Sequence, residues 1–134
     1  MAVADGDAPA MKKRVRLTRQ ADFQRVLGGE RLYAGRTLVA FAQPRRGEVT
    51  RVGVAVSRRV RGAVERNRIR RRLREAARQA RQGDWSGTVV GTNYDVVLIG
   101  RPAALDAPWG VVEADVSAAL ARVGRIMRGS TDGT

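Results

Sequence analysis

Neither cysteine nor histidine occurs anywhere in this chain of 134 residues. Without cysteine there is no disulfide framework, no thiolate zinc site and no thiol nucleophile. Without histidine there is no imidazole general base, no serine–histidine pair and no histidine metal ligand. The thirteen acidic residues are scattered. Their closest sets, Asp5 with Asp7 and Glu113 with Asp115, fall in the N-terminal stretch and in a predicted surface helix. A two-metal nuclease needs clustered carboxylates, so the chain by itself is a poor candidate for hydrolytic chemistry. No apolar run approaches the roughly 18 residues of a membrane span. Residues Met1 to Ala10 lack the basic start and apolar stretch of a secretory signal. A cytoplasmic location with no membrane partner is expected.

What is present is positive charge. Twenty-six basic residues against thirteen acidic ones leave a net charge of +13 and a pI near 11.7. Such a balance calls for a polyanionic partner, nucleic acid before an anionic membrane surface. Only Lys12 and Lys13 are lysine; all the other basic residues are arginine, whose planar five-donor fork suits phosphates and base edges. Codon usage in a genome rich in alanine, glycine and valine codons explains arginine over lysine. It does not explain the lopsided total. Hydrophobic residues at 43% suffice for one folded domain with a modest core.

Residues 1–11 read as a disordered leader, with Met11 an alternative start, residues 12–128 as the domain and residues 129–134 as a flexible tail. Lys12 to Arg19 is a basic arm entering the fold. Thr18 is the expected N-cap of a short helix carrying Phe23, Val26 and Leu27 on one face and ending at Gly28-Gly29. Alternation predicts strands over Thr37 to Gln43, bounded by Pro44, and over Arg51 to Ser57, with a hairpin loop between them. A long helix is expected from Val64 to Gln82, a glycine-rich loop from Gln82 to Asn93, a third strand from Tyr94 to Ile99 and a last helix from about Asp106 to Arg128. The order α-β-β-α-β-α predicts a single-domain α+β sandwich, helices packed on a small, mostly antiparallel sheet.

The segment Arg58 to Arg81 holds eleven arginines against Glu65 and Glu75, a net of +9 in under a fifth of the chain. At about 100° per residue, Ile69, Leu73, Ala76 and Ala80 form a narrow apolar stripe. Opposite them Asn67, Arg70, Arg71, Arg74, Arg78 and Arg81 share an arc without an acid. Glu75 falls outside that arc, nearer Arg68 and Gln79. A solvated face normally mixes signs, and like charges four residues apart destabilise a helix. Arg66, Arg70, Arg74 and Arg78 form such a ladder, so an external anion is expected to offset the repulsion. Asn67 has no charge to seek on a phosphate; it can serve a base edge, a backbone turn or a water.

From the second strand the chain reads Val52-Gly53-Val54-Ala55-Val56-Ser57-Arg58-Arg59-Val60, then Ala63-Val64-Glu65-Arg66-Asn67-Arg68-Ile69-Arg70-Arg71-Arg72-Leu73-Arg74-Glu75-Ala76. This resembles the signature of the bacterial ribonuclease P protein family. Asp22-Phe23-Gln24-Arg25-Val26 and Tyr94 to Ala103 resemble its first helix and last strand, so the likeness covers about residues 14 to 125. The resemblance implies a protein subunit that binds a catalytic RNA, the pair removing the 5′ leader from precursor transfer RNA, with Mg2+ held through the RNA. It implies no catalytic residue, no metal and no cofactor on protein side chains, and no obligatory protein partner. Arg58, Arg59, Arg66, Asn67, Arg68, Arg70, Arg71 and Arg74 would contact RNA. Phe23, Phe41 and Ser57, with Arg58 beside them, would line a leader groove between the first helix and the sheet. The family fold also carries a left-handed β-α-β crossover, where general rules favour the right-handed one. Departures lie around Arg61 and Gly62, at Ala77 (often aromatic in the family) and in the longer 82–93 loop.

The residues themselves leave alternatives open. Without the resemblance, Phe23 and Phe41 read first as ordinary core. A structural RNA-binding protein without a role in cleavage shares the composition and the arginine helix. A DNA-binding regulator would need a second helix at helix-turn-helix spacing or a zipper, and neither is present. A self-sufficient nuclease lacks the side chains.

Overall fold

The computed structural model describes residue 16 and residues 19–45, 51–82 and 93–131. The expected leader, most of the basic arm with Thr18, the 46–50 connection, the interior of the 82–93 loop and the last residues of the tail lie outside them. Helix α1 spans Gln20–Leu27, followed by strands β1 (Glu30–Ala34), β2 (Leu38–Arg45) and β3 (Arg51–Val56). Helix α2 is Ala63–Gln82, strand β4 Asn93–Gly100, a 3₁₀ turn Pro102–Leu105, and helix α3 Trp109–Thr131. The predicted long helix is found within one residue of its expected start. The last helix begins later than expected, after the 3₁₀ turn and Pro108, and runs three residues further.

The sheet order is β1-β2-β4-β3, antiparallel except for the parallel β3–β4 pair. Two expectations are corrected here. β2 and β3 do not form a hairpin, because β4 lies between them and pairs with both. Its run Val96-Val97-Leu98-Ile99 is apolar on both faces, which suits a central strand covered on both sides. The strand β1 was not expected. It is short, half-exposed and at the sheet edge, so it carries almost none of the apolar alternation that marks a strand. Pro44 also lies within β2 rather than bounding it, opposite Tyr94. β1 pairs only with Val39 to Ala42, so at Pro44 one side of β2 is an open edge where a missing N–H costs the ladder least.

Strand alternation sorts the sheet into two faces. Leu38, Ala40 and Ala42, then Val52, Val54 and Val56, then Tyr94, Val96 and Leu98 face the main core. There they meet Ile69, Leu73, Ala76 and Ala77 of α2 and Val112, Val116, Ala119, Leu120 and Val123 of α3. Among the described residues the other face receives α1, through Val26 against Val97, with Phe23, Phe41, Ala55 and Ile99 partly buried around them. β3, α2 and the parallel β4 form a β-α-β unit. Beyond the strands, Arg16 makes a single parallel bridge to Val52.

Asp115 is not the surface residue that its neighbour Glu113 suggested. It is buried in α3 and bridges to the β1–β2 turn. The Tyr33 hydroxyl donates to Oδ1 at 2.6 Å, and the Thr37 N–H and hydroxyl donate to Oδ2 at 2.7 and 2.6 Å. Burial pushes this carboxyl up, but the Thr37 and Tyr33 hydroxyls and the backbone N–H groups of Thr37 and Arg36 outweigh it and leave it low. The same bond, with burial and the charge of Asp115, pushes the Tyr33 phenol up to about 12.

The seat of α2 is Gly100. A Cβ there would fall 2.4 Å from Ile69 Cγ2 and 3.0 Å from Leu73 Cδ1. Replacing Gly100 with alanine is therefore expected to overpack the interface and cost about 1–3 kcal/mol. A denaturation midpoint unchanged by Gly100→Ala would show that α2 is not so tightly seated.

Candidate nucleic-acid interface

With its apolar stripe on the sheet, α2 turns its arginines away from the core, and the structure divides them by what their donors meet. Arg72 is engaged internally. One terminal nitrogen donates to Ala104 O at 2.5 Å and Leu105 O at 3.2 Å, and the other to Ala107 O at 2.6 Å. Its guanidinium also lies 5.8 Å from the centre of the Trp109 ring. Arg68 donates through Nε to Leu105 O at 3.1 Å. These two fasten the 3₁₀ turn and the start of α3 to the helix. Arg66 reaches the other way, to the carbonyls of Val56, Ser57 and Val60.

Arg78 departs from expectation. It was placed on the acid-free arc, yet it forms a two-pronged pair with Glu75, one contact at 2.5 Å and the other at 3.1 Å. The pair lowers the Glu75 carboxyl and raises the Arg78 guanidinium. Arc arithmetic follows Cβ directions, whereas arginine and glutamate are long enough to meet three residues apart across the arc boundary. The side chain of Arg81 lies outside the described residues.

One group on this helix is compact. Asn67, Arg70, Arg71 and Arg74 line one open concavity of about 430 Å³, and no acid is among them. The Asn67 side-chain carbonyl accepts a hydrogen bond from Arg70 at 2.9 Å. The amide thus sets the direction of an arginine on its own face. Exposed Val64 precedes this group by one turn, and Glu65 folds back against Gly62 at the start of the helix, where a negative charge favours the helix dipole. Arg58 and Arg59 are exposed on the turn between β3 and α2.

On the opposite face of the sheet, cross-strand register aligns Phe41, Val97 and Gly53 in one row and Val39, Ile99 and Ala55 in the next. Gly53 contributes no side chain, so Phe41 and Val97 dominate the floor. α1 covers part of this floor with Phe23 and Val26, and both phenylalanines stay partly buried rather than enclosed. Ser57 follows β3 at one end of the trough. Its hydroxyl accepts from the Arg59 N–H at 3.2 Å, and its own N–H donates to Gly100 O at 2.9 Å.

The other end of the trough is closed by a charge cluster that sequence reading missed. The buried Asp95 accepts a fork from Arg51, Nε to Oδ1 and Nη2 to Oδ2, each at 2.8 Å, and also pairs with Arg25 of α1. Asp22 approaches Arg51 at 3.5 Å. The hydrogen bonds and charge of Asp95 outweigh burial and raise the Arg51 guanidinium. The available signal was weak: one acid in an otherwise apolar strand, with arginines far away in sequence. The cluster fixes α1 to the sheet and thereby sets the trough's width.

Thus the two groups of expected site residues occupy different surfaces. The basic face and the aromatic trough are separated by the sheet and joined by the 57–62 turn. Among the described residues no set of three acids, histidines or cysteines could hold a metal ion, and no helix is long and apolar enough to cross a membrane.

An α+β domain with an acid-free arginine concavity on one layer and a half-open apolar trough on the other defines a basic protein shaped for a polyanionic partner. Comparison with known proteins makes this specific. The family model described as Ribonuclease P matches residues 11–124. A ribonuclease P protein component of Paramagnetospirillum magneticum is 39% identical over 118 residues, covering 84% of this chain and 85% of that one. That of Symbiobacterium thermophilum is 38% identical, covering 88% and 98%. The solved ribonuclease P protein of Staphylococcus aureus superposes with a TM-score of 0.64 at 26% identity, covering 81% and 96%. That of Thermotoga maritima, at 23% identity and a TM-score of 0.61, covers 82% and 96% and shares the fold. The chain belongs to the ribonuclease P protein family. Proteins of this family are components of an endoribonuclease of transfer RNA processing, and the family name implies an RNA partner.

Loss of the buried carboxylate charge tests the cluster. Asp95→Asn is expected to lower stability by about 3–5 kcal/mol, as when one partner of a buried ion pair is removed. The denaturation midpoint measures this, and a midpoint within error of the parent would show that the cluster does not hold α1.

Proposed function

We propose that this chain binds the catalytic RNA of ribonuclease P through Asn67, Arg70, Arg71 and Arg74, with Arg58 and Arg59 extending the contact. The 5′ leader of precursor transfer RNA would lie in the trough on Phe23, Phe41 and Ser57. In this reading the protein supports endonucleolytic removal of the leader in the cytoplasm, needs no second protein and supplies no catalytic side chain. Magnesium is held by the RNA. The reading agrees with a chain that has no histidine or cysteine and no described acid cluster.

The observation that carries it is the composition of the α2 concavity. Three arginines meet there around an amide, with no acid in the lining. Phosphates are the acceptors that such a face matches in charge and geometry. In the trough, a partly buried phenylalanine on the floor and another on the α1 wall suit single-stranded bases, which stack on aromatic rings without needing one sequence. Roles for Arg66 and Arg68 as direct RNA contacts have less support, since both donate to backbone carbonyls.

Alanine at Arg70, Arg71 and Arg74 together is expected to weaken binding to a bacterial ribonuclease P RNA. The logarithmic salt slope should fall by about one unit per arginine removed. An unchanged slope in a salt titration would remove the phosphate face.

Phe41→Ala is expected to weaken leader-bearing precursor more than mature transfer RNA, by about 1–3 kcal/mol for one lost stacking platform. Equal weakening of both substrates in competition binding would make Phe41 a core residue only.

A further inference from the structure

We propose that Arg66, the first arginine of the Arg-Asn-Arg stretch, is a positioning residue that ties the leader trough to the RNA face, and is not itself a phosphate ligand. The inference rests on the two surfaces assigned under Proposed function and concerns what connects them.

The connection is the turn between β3 and α2. One terminal nitrogen of Arg66 donates to Ser57 O at 3.0 Å and to Val60 O at 2.8 Å, and the other donates to Val56 O at 3.3 Å. A guanidinium has five N–H donors, and those of both terminal nitrogens are directed at three carbonyls of one short backbone segment, residues 56–60. Both terminal nitrogens are engaged, so the end-on fork, one of the two edges by which a guanidinium grips a phosphate, is occupied from inside. The side chain is half-buried, unlike its exposed neighbours Arg58, Arg59 and Arg61.

The segment so held carries groups on both surfaces. Ser57 ends the trough, and its hydroxyl receives the Arg59 N–H. The Val60 N–H returns to Ser57 O at 3.1 Å, so the carbonyl that Arg66 grips is also the closing acceptor of the turn. Arg58 and Arg59 project from the middle. Arg66 itself stands one helical turn before Arg70, on the helix that forms the concavity. A displacement of this guanidinium would therefore release the turn from the helix and let the two surfaces move independently.

Lysine separates charge from geometry here. Its ammonium keeps the positive charge but lacks the planar fork that spans three carbonyls. The test uses the full chain with a bacterial ribonuclease P RNA, comparing Arg66→Ala, Arg66→Lys and the Arg70/Arg71/Arg74 triple alanine variant. Two quantities are read: the salt slope of RNA binding, and the affinity ratio of leader-bearing to mature transfer RNA. Both Arg66 variants are expected to keep the parent slope and to lose leader preference on the order of tenfold, the equivalent of one charge-assisted hydrogen bond. A slope that falls by about one unit in Arg66→Ala and returns in Arg66→Lys overturns the proposal and makes Arg66 a phosphate ligand. So does full leader preference in Arg66→Lys.

The triple variant separates the two levels. If its slope is unchanged, the assigned RNA face is wrong; if its slope falls as expected, a failure at Arg66 is a failure of this inference alone. Should Arg66→Ala unfold, Arg66→Lys is combined with Ser57→Ala. Acting through one turn, the two losses of leader preference should overlap in the double variant. Strict additivity overturns the proposal.

Discussion

No side chain fits between α2 and the central strand at position 100, where Ile69 and Leu73 occupy the space a Cβ would take. This close approach determines the rotation of α2 about its axis. With Ile69 and Leu73 pressed on β4, Asn67, Arg70, Arg71 and Arg74 are turned outward together. Arg66 is then carried over the exit of β3, and Arg68 and Arg72 over the 3₁₀ turn. A different rotation would scatter the same residues among core and solvent. The basic face is thus a consequence of apolar packing on its far side, and the packing is possible because β4 ends on glycine.

Density of like charge is the second constraint. Eleven arginines within 24 residues repel one another unless acceptors lie close by. The structure supplies carbonyls rather than carboxylates for most of those it satisfies. Arg66 and Arg72 each collect three backbone oxygens, at the ends of β3 and in the 3₁₀ turn. Carbonyl oxygens offset part of the repulsion without neutralising the charge, so the long-range positive potential that steers a polyanion survives. The Glu75–Arg78 pair uses a carboxylate instead, and it lies beyond the concavity toward the end of the helix.

Much of this was legible in order of how local the signal is. The α2 stripe needed only the helical period, and Ile69, Leu73 and Ala76 are buried as that period requires. The outward group Asn67, Arg70, Arg71 and Arg74 followed from the same period. Arg66 and Arg78 were not separable from it, because helical arithmetic places a Cβ and says nothing of where a long side chain finds its acceptor. Strand pairing failed for a related reason. Neighbouring strands in sequence suggest a hairpin of β2 with β3, whereas the run apolar on both faces belongs to β4, the strand that lies between them. Asp95 and Asp115 look alike in the sequence to any solvated acid. Their burial depends on Arg51, Arg25, Thr37 and Tyr33, partners brought from 44 to 82 positions away by the completed fold.

The strand order has a consequence for the time course of folding. Among the described strands, β4 is the last to leave the ribosome and the one that joins the β1–β2 pair to β3. Before it arrives, residues 19–82 hold two unconnected pieces of sheet, and an arginine helix has no floor beneath Ile69 and Leu73. Pairings such as Leu38 with Gly100 close a segment of more than sixty residues, the kind of non-local contact that slows folding. Synthesis of the central strand is therefore the event that converts a basic, unanchored chain into a surface with a defined shape.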